Sequence, residues 1–134
     1  MPAAIDGIPI LKPPYGNLVA LDLNRGEIAW KVPFGDSPQL RSHPALKGVT
    51  LPDRLGAPGA SGVIVTKSGL ILGGGFDNAL NAFDAKDGRE LWRYVLPREA
   101  VGTPMTYLDA NGRQVVVIAT GRGEDTALVA FRIP

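Results

Sequence analysis

The chain contains no cysteine, a single histidine and almost no net charge. Without cysteine among its 134 residues it has no disulfides, no thiolate metal ligands and no cysteine nucleophile. His43 is the only histidine, and no nearby ligand set or Ser/Asp arrangement indicates a zinc site or a catalytic triad. We therefore expect His43 to be a loop residue.

The charges nearly cancel, because 14 Lys and Arg stand against 13 Asp and Glu, which leaves a net charge of +1. Nucleic acids and anionic membranes attract an excess of positive charge, so neither is an expected partner. No apolar run approaches the roughly 18 residues of a membrane span, and no transmembrane segment is expected. The first seven residues have neither a basic flank nor an apolar core, so we expect no signal peptide.

Turn-forming residues are abundant, with 17 glycines and 12 prolines. Glycine and proline interrupt helices and favour short strands joined by turns. The apolar segments 62–66, 70–72 and 115–119 are short, β-branched and bounded by glycine or polar residues. The sequence therefore predicts an all-β fold.

An internal repeat makes this prediction more specific. Residues 20–30 and 82–92 share the pattern Ala-x-Asp-x-x-x-Gly-x-x-x-Trp at an offset of 62, and they contain the only two tryptophans, Trp30 and Trp92. We expect each tryptophan to lie in an outgoing strand and to fill the gap between neighbouring sheets. Repeated four-stranded units with one such tryptophan are typical of β-propeller blades.

The aspartates and glycines of the repeat are assigned to turns. The carboxylates of Asp22 and Asp84 can accept hydrogen bonds from turn amides, and Gly26 and Gly88 can adopt a positive φ where the chain reverses. Paired-carboxylate hydrolysis needs both aspartates in one cleft, and nothing in the sequence requires that.

Strands counted on this template predict a single partial propeller domain over residues 1–134. Two to three four-stranded antiparallel blades are expected. Residues 17–32 are the last two strands of one blade, 61–96 a complete blade, and 101–134 three strands of a final blade. Residues 33–60 form a long connection without secondary structure of its own, and such connections are usually functional or mobile. A closed ring needs about four to eight blades, more than this chain supplies.

Several stretches resemble the carboxy-terminal part of the pyrroloquinoline-quinone (PQQ) dehydrogenases. The resemblance is to the membrane-bound glucose dehydrogenase branch and to the quinoprotein alcohol dehydrogenase propellers. The Trp-containing repeat is typical of the wider quinoprotein superfamily. The motif Pro104-Met105-Thr106-Tyr107 and the ending at residues 127–134 together narrow the resemblance to the alcohol and sugar dehydrogenases. The matching stretches are residues 14–23, 81–92, 102–107, 112–118 and 127–134.

The resemblance implies an eight-bladed ring that holds PQQ beside a calcium or magnesium ion. In such enzymes an aspartate removes a proton from an alcohol or sugar hydroxyl, hydride passes to the quinone, and electrons leave to ubiquinone or a cytochrome. A bacterial periplasmic location is implied as well. The catalytic aspartate and the ion ligands belong to blades that precede the matched portion, so no catalytic or metal-ligating residue is assigned here.

The resemblance also implies three cofactor-binding candidates: Ser61, Arg122 and Asp125. Ser61 lies where relatives carry a small turn that enters a blade. Arg122 can pair with a PQQ carboxylate, because a guanidinium fork fits carboxylates. Asp125 matches an acidic residue that precedes the family's last strand. The alternative is that residues 121–126 are only a hairpin turn.

Residues 73–78 offer two further hypotheses. Gly73, Gly74 and Gly75 suggest a phosphate loop, but such a loop needs a helix after the glycines, and a strand is predicted instead. A turn between blade strands is therefore preferred. Asp77 and Asn78 at the end of this turn are candidates to face the central axis of the ring.

Three functions remain open from the sequence. The chain is a fragment or truncated homologue of a PQQ dehydrogenase that is inactive alone, or a subunit that completes a PQQ-binding ring by oligomerisation or with a partner carrying the upstream blades. The third alternative is a non-catalytic interaction module whose exposed sheet edges recruit a partner.

Overall fold

The computed structural model describes residues 3–59 and 62–132 as antiparallel sheets with very little helix. A short hairpin pairs β1 (Ala4–Ile5) with β2 (Ile8–Pro9). The first sheet then pairs β3 (Asn17–Asp22) with β4 (Glu27–Pro33). The sequence did not indicate the amino-terminal hairpin, because its strands are only two residues long.

The central sheet has four strands in the order β5-β6-β7-β8. They are β5 (Val63–Val65), β6 (Leu70–Gly74), β7 (Ala79–Asp84) and β8 (Glu90–Val95). The third sheet has three strands: β9 (Met105–Leu108), β10 (Gln114–Thr120) and β11 (Ala127–Arg132). The all-β prediction is confirmed, because the described residues form antiparallel sheets with very little helix.

The central sheet is covered on both faces, which explains why β7 is buried along most of its length. Ile71 and Phe83, which are paired across β6 and β7, pack with Phe34 against the first sheet. Leu80 packs with Ile118 on the opposite face, against the third sheet. Because side chains alternate along a strand, one short strand contributes to two cores.

The internal repeat extends to strand register. Both copies contain a β-bulge at the equivalent place, between Ala20 and Leu21 in the first sheet and between Ala82 and Phe83 in the central sheet. Both aspartates cap their turns as predicted: Asp22 Oδ1 accepts from the Asn24 amide at 2.9 Å, and Asp84 Oδ1 accepts from the Lys86 amide at 2.9 Å.

The two tryptophans differ in their surroundings. Trp30 is partly buried, and its Nε1 donates at 3.1 Å to the Ala85 carbonyl, in the turn after β7, as expected for packing between blades. Trp92 stacks on Tyr94 and meets Phe131 of the third sheet edge-on, yet it remains 42% exposed. The expected burial of Trp92 between sheets is therefore only partly realised within the described residues.

The long connection between the first and central sheets has secondary structure of its own, which corrects the prediction for residues 33–60. It contains the short helix α1 (Pro38–Arg41) and a 3-10 turn at Pro44–Leu46. Proline at the start of each segment fixes a helical φ where no amide donor is needed. His43 caps the 3-10 turn by accepting from the Ala45 amide at 3.3 Å, which agrees with its predicted place in a loop.

Candidate functional site

The connections that lie at one end of the three sheets form a continuous surface, which we call the connection face. It comprises residues 34–39, 75–78, 97–100 and 121–125. Backbone hydrogen bonds tie three of these segments together, since the Ala100 amide donates to the Asp77 carbonyl at 2.8 Å and the Gly121 amide donates to the Glu99 carbonyl at 2.9 Å. Residues 34–39 reach the face through the close approach of Gly35 to Gly75. The turns that contain Gly26 and Gly88 lie at the opposite end, as antiparallel order requires.

Close backbone approach at this face requires glycine. A Cβ on Gly75 would lie 2.5 Å from the Cα of Gly35, so neither position has room for a side chain. Gly73 and Gly74 belong to β6, where added side chains would meet Phe34 and Ala100 of the flanking segments. The glycine run therefore brings the sheets together and is not a phosphate loop.

Two ion pairs join the connection before β9 to the turn before β11. Arg122 donates to both carboxylate oxygens of Glu99, at 3.1 and 3.2 Å. Its hydrogen bond to Glu99 raises the pKa of the exposed Arg122 guanidinium. Arg98 lies 3.8 Å from Asp125, whose side chain is 81% exposed. The pairs cross between the same two segments, so Arg122 and Asp125 help to dock residues 121–125 on residues 97–100.

A buried ion pair lies beneath the face. The Asp77 carboxylate is fully buried and accepts from Arg93 at 2.8 Å, while its second oxygen and the Arg93 Nε have no partner among the described residues. The side chain of Asp77 therefore points into the protein, which disfavours a direct role for it on the central axis. Phe76 precedes it with φ 56°, a conformation that only a tightly held non-glycine residue keeps.

The long connection is held by a cluster that sequence inspection missed. Asp36 accepts from Arg41 Nε at 2.7 Å and from the Leu55 amide at 3.1 Å. Arg41 also donates to the carbonyls of Pro52 and Asp53, both at 2.8 Å. Burial raises the pKa of Asp36, but the hydrogen bonds from Arg41 and the backbone outweigh it and leave the pKa lowered. Only the five-residue spacing of Asp36 and Arg41 was visible in the sequence.

A second ion pair fastens the same connection to the outer strand of the central sheet. Arg54 donates from Nε and Nη2 to the two oxygens of Glu90, at 3.0 and 2.7 Å. The hydrogen bond to Glu90 raises the pKa of Arg54 further above its ordinary value. The long connection is thus fixed at two places, through Asp36 and through Glu90.

The predicted cofactor residues are distributed unevenly. Arg122 and Asp125 lie together on the connection face, whereas Ser61 lies outside the described residues. Within residues 3–59 and 62–132, no group of three or more His, Asp or Glu side chains forms a metal site. In that same part of the chain, no helix has both the length and the apolar character needed to cross a membrane.

Comparison with known proteins identifies the family. Residues 2–116 match the family model described as the PQQ glucose/ethanol/alcohol dehydrogenase β-propeller domain. The chain belongs to this PQQ dehydrogenase family. The "Probable quinate dehydrogenase (quinone)" of Xanthomonas campestris pv. juglandis is 37% identical over 96% of the chain, which covers 17% of that relative. The quinoprotein glucose dehydrogenase of Escherichia coli (strain K12) is 39% identical over 86% of the chain, which covers 14% of that relative.

Solved structures agree with the propeller assignment. The quinohemoprotein alcohol dehydrogenase from Comamonas testosteroni matches 87% of the chain with a TM-score of 0.60 and 26% identity, and 14% of that structure is covered. A europium-containing methanol dehydrogenase matches 78% of the chain with a TM-score of 0.58 and 25% identity. The chain thus spans only about one sixth of the length of its curated relatives.

The family implies PQQ in its intact members, so the connection face can be tested as a site for that quinone. PQQ carries carboxylates, for which arginine is the natural partner. The three arginines described at or beneath the face, Arg93, Arg98 and Arg122, each already face a carboxylate of this chain. The described residues therefore do not by themselves fit a complete PQQ site.

Proposed function

We propose that the three sheets are consecutive blades at the carboxy-terminal end of the ring of a PQQ-dependent sugar or alcohol dehydrogenase. The observation that carries the proposal is the connection face, on which four separate segments meet at one end of the sheets in a chain of this family. In this arrangement the chain supplies one wall of the cofactor chamber. The catalytic base, the calcium or magnesium site and most cofactor contacts come from blades outside it.

The roles proposed for Arg122 and Asp125 follow from their contacts. Arg122 remains 67% exposed beside Glu99, so its guanidinium can exchange that carboxylate for one of PQQ without uncovering a buried charge. Asp125 positions Arg98 at the rim of the face. Ser61 remains the third proposed contact, on the strength of the family resemblance alone. Family membership also motivates the proposals that the complete enzyme works in the periplasm and passes electrons to ubiquinone or a cytochrome.

A chimera tests this function. Residues 3–132 would replace the aligned stretch of the Escherichia coli quinoprotein glucose dehydrogenase, and PQQ-dependent glucose oxidation would be followed with a dye acceptor. We expect activity within about tenfold of the parent, a loss of about 1.4 kcal/mol of transition-state stabilisation or less. A chimera with the parent's circular dichroism spectrum and more than about 100-fold lower activity would overturn the proposal.

The chimera also tests Arg122 with a matched control. Arg122→Ala should weaken PQQ binding about tenfold, which corresponds to the loss of one charge-assisted contact. Arg25→Ala should leave PQQ binding unchanged, because Arg25 forms a similarly exposed pair with Glu27 at the opposite end of the sheets. Equal effects of the two substitutions would remove Arg122 from the proposed cofactor contacts.

A further inference from the structure

An apolar cavity lies between the amino-terminal hairpin and the long connection, and we call it the hairpin cavity. Its volume is about 220 Å³. The connection contributes four leucines to its lining, and the hairpin with the residues that follow it contributes further aliphatic side chains. The lining includes Leu40, Leu46, Leu51 and Leu55 on one side and Ile8 and Ile10 on the other.

The walls of the hairpin cavity are fixed to each other by polar contacts. The Tyr15 amide donates to the Leu55 carbonyl at 2.7 Å, which holds the segment after the hairpin against the connection. His43 Nε2 lies 3.0 Å from the Asp6 carbonyl oxygen, which joins the 3-10 turn to the hairpin. Leu55 is only 1% exposed although it belongs to neither of the two cores of the sheets. The cavity therefore lies in a separate apolar cluster of its own.

The lining determines what the cavity can hold. Apart from Tyr15 and Lys12, every lining side chain that the structure describes is a hydrocarbon. A polar group that is buried there without a partner would be destabilising, so the enclosed part of a ligand must be apolar. Water gains few hydrogen bonds in such a cavity, and apolar cavities of this kind accept apolar molecules instead.

The charge of the lining selects the polar end of the ligand. Lys12 is the single charged residue among the described lining residues, and it takes part in none of the ion pairs found within residues 3–59 and 62–132. Its ammonium group is therefore available to an anion, and no carboxylate of the lining competes for it.

The size and the mouth of the cavity set the length of the ligand. An apolar cavity of about 150 Å³ holds benzene, so the hairpin cavity has room for about nine carbon atoms. Ile10 and Leu11, which line it, are 62% and 70% exposed. Large aliphatic side chains exposed together at a cavity mouth are typical of a binding site for an apolar molecule.

We propose that the hairpin cavity binds a medium-chain aliphatic carboxylate such as octanoate. The hydrocarbon chain lies among the leucines of the connection, and the carboxylate pairs with Lys12 Nζ at the mouth. A membrane surface is a poorer occupant, because attachment to anionic lipid takes a cluster of several basic residues and the lining has one. The inference goes beyond the proposed function and does not depend on the quinone.

Calorimetric titration of the full chain with sodium octanoate tests the proposal. We expect one saturable site with a Kd below about 1 mM. Hexanoate should bind more weakly by about fourfold for each methylene removed, because each methylene leaves water for the cavity. Lys12→Gln should weaken octanoate binding about two- to fivefold and leave the binding of neutral octanol unchanged, since an exposed ion pair contributes little.

A substitution that fills the cavity locates the site. Leu46→Phe places a larger side chain in the lining and should weaken octanoate binding at least about tenfold. Leu23→Phe is the matched control, because Leu23 is 88% exposed in the turn after β3, and it should leave binding unchanged. Circular dichroism of each variant checks that it is folded.

Three results would overturn the proposal. The first is the absence of saturable octanoate binding to the folded parent chain. The second is equal binding by the folded Leu46→Phe and Leu23→Phe variants or, where Leu46→Phe does not fold, an equal effect of Lys12→Gln on octanoate and octanol. The third is Lys12-dependent sedimentation of the chain with phosphatidylglycerol vesicles without binding of free octanoate, since the occupant would then be a lipid surface.

Discussion

The two repeat glycines allow the packing of Trp30 to be measured against a built-in reference. Gly26 and Gly88 occupy equivalent turns and have similar positive φ values, 67° and 75°. They differ in their surroundings, because nothing lies within 4 Å of a Cβ on Gly26, whereas a Cβ on Gly88 would lie 2.6 Å from Trp30 Cε3. Replacing each glycine by alanine adds the same backbone strain, and only at Gly88 does it add a clash.

The expected magnitudes follow from these two contributions. A left-handed conformation costs an alanine about 1–2 kcal/mol, which is the whole effect expected for Gly26→Ala. Overpacking a well-filled contact costs about 1–3 kcal/mol more, so Gly88→Ala should lose about 2–5 kcal/mol in total. In a Trp30→Ala background the additional loss should disappear, and the double-mutant cycle would then report the coupling between Gly88 and Trp30.

Urea denaturation followed by circular dichroism is the assay, with midpoint and slope compared across the variants. An unchanged slope with a lower midpoint identifies a change in stability alone. Equal losses for Gly26→Ala and Gly88→Ala, within about 0.5 kcal/mol, would refute the docking of Trp30 on this turn. A coupling energy near zero in the double-mutant cycle would refute it independently.

Three further predictions concern the tryptophans and the two networks of charged residues. In urea denaturation, Trp30→Ala should lower the free energy of unfolding by about 3–4 kcal/mol and Trp92→Ala by about 2 kcal/mol. The loss should be smaller at Trp92 because that side chain is 42% exposed, whereas Trp30→Ala also removes the hydrogen bond to Ala85. A larger loss at Trp92 than at Trp30 would contradict this order. Asp36→Asn should cost about 1–2 kcal/mol at pH 7. The pKa of Asp36 in the folded chain lies below the ordinary 3.8, so the stabilisation by its carboxylate is complete above pH 3.8 and is lost as the pH falls through the folded pKa. The stabilities of the parent and the variant should therefore converge in acid denaturation. A difference that stays constant down to low pH would contradict this role of Asp36. Glu99→Gln should leave stability within about 0.5 kcal/mol but increase proteolytic cleavage of residues 121–125, since an exposed pair contributes little to global stability; unchanged cleavage would show that the Arg122 pair does not hold this turn.

The strands were predictable because their physical signals are local. A β-branched run such as residues 115–119 between polar turns has one strong interpretation, and the aspartates of the repeat fix the turns between strands. The repeat also placed the two tryptophans in equivalent outer strands, and the structure preserves this equivalence even in the β-bulge of each copy.

The candidate site was much less predictable, because its geometry depends on contacts between distant segments. Arg122 was expected to be available for a quinone carboxylate, and nothing in the sequence showed that Glu99 lies within hydrogen-bonding distance, 23 residues away. The same holds for Asp77, which meets Arg93 across the central sheet. Residue type indicates what a side chain can bind, while the partner it has in the folded chain depends on the tertiary structure.

The two ends of the sheets differ in how far their turns repeat, and this difference bears on where a ligand site should be sought. At one end, the repeat turns carry glycines and short caps, and a tryptophan of the preceding sheet covers the turn at Gly88. Those features recur at a fixed offset, so they serve assembly of one sheet on the next. At the other end, the turns at residues 75–78 and 121–125 share little sequence, and ion pairs hold them. Repetition preserves packing, whereas a binding site needs different side chains from each blade, so the non-repeating connection face is where a ligand should be sought.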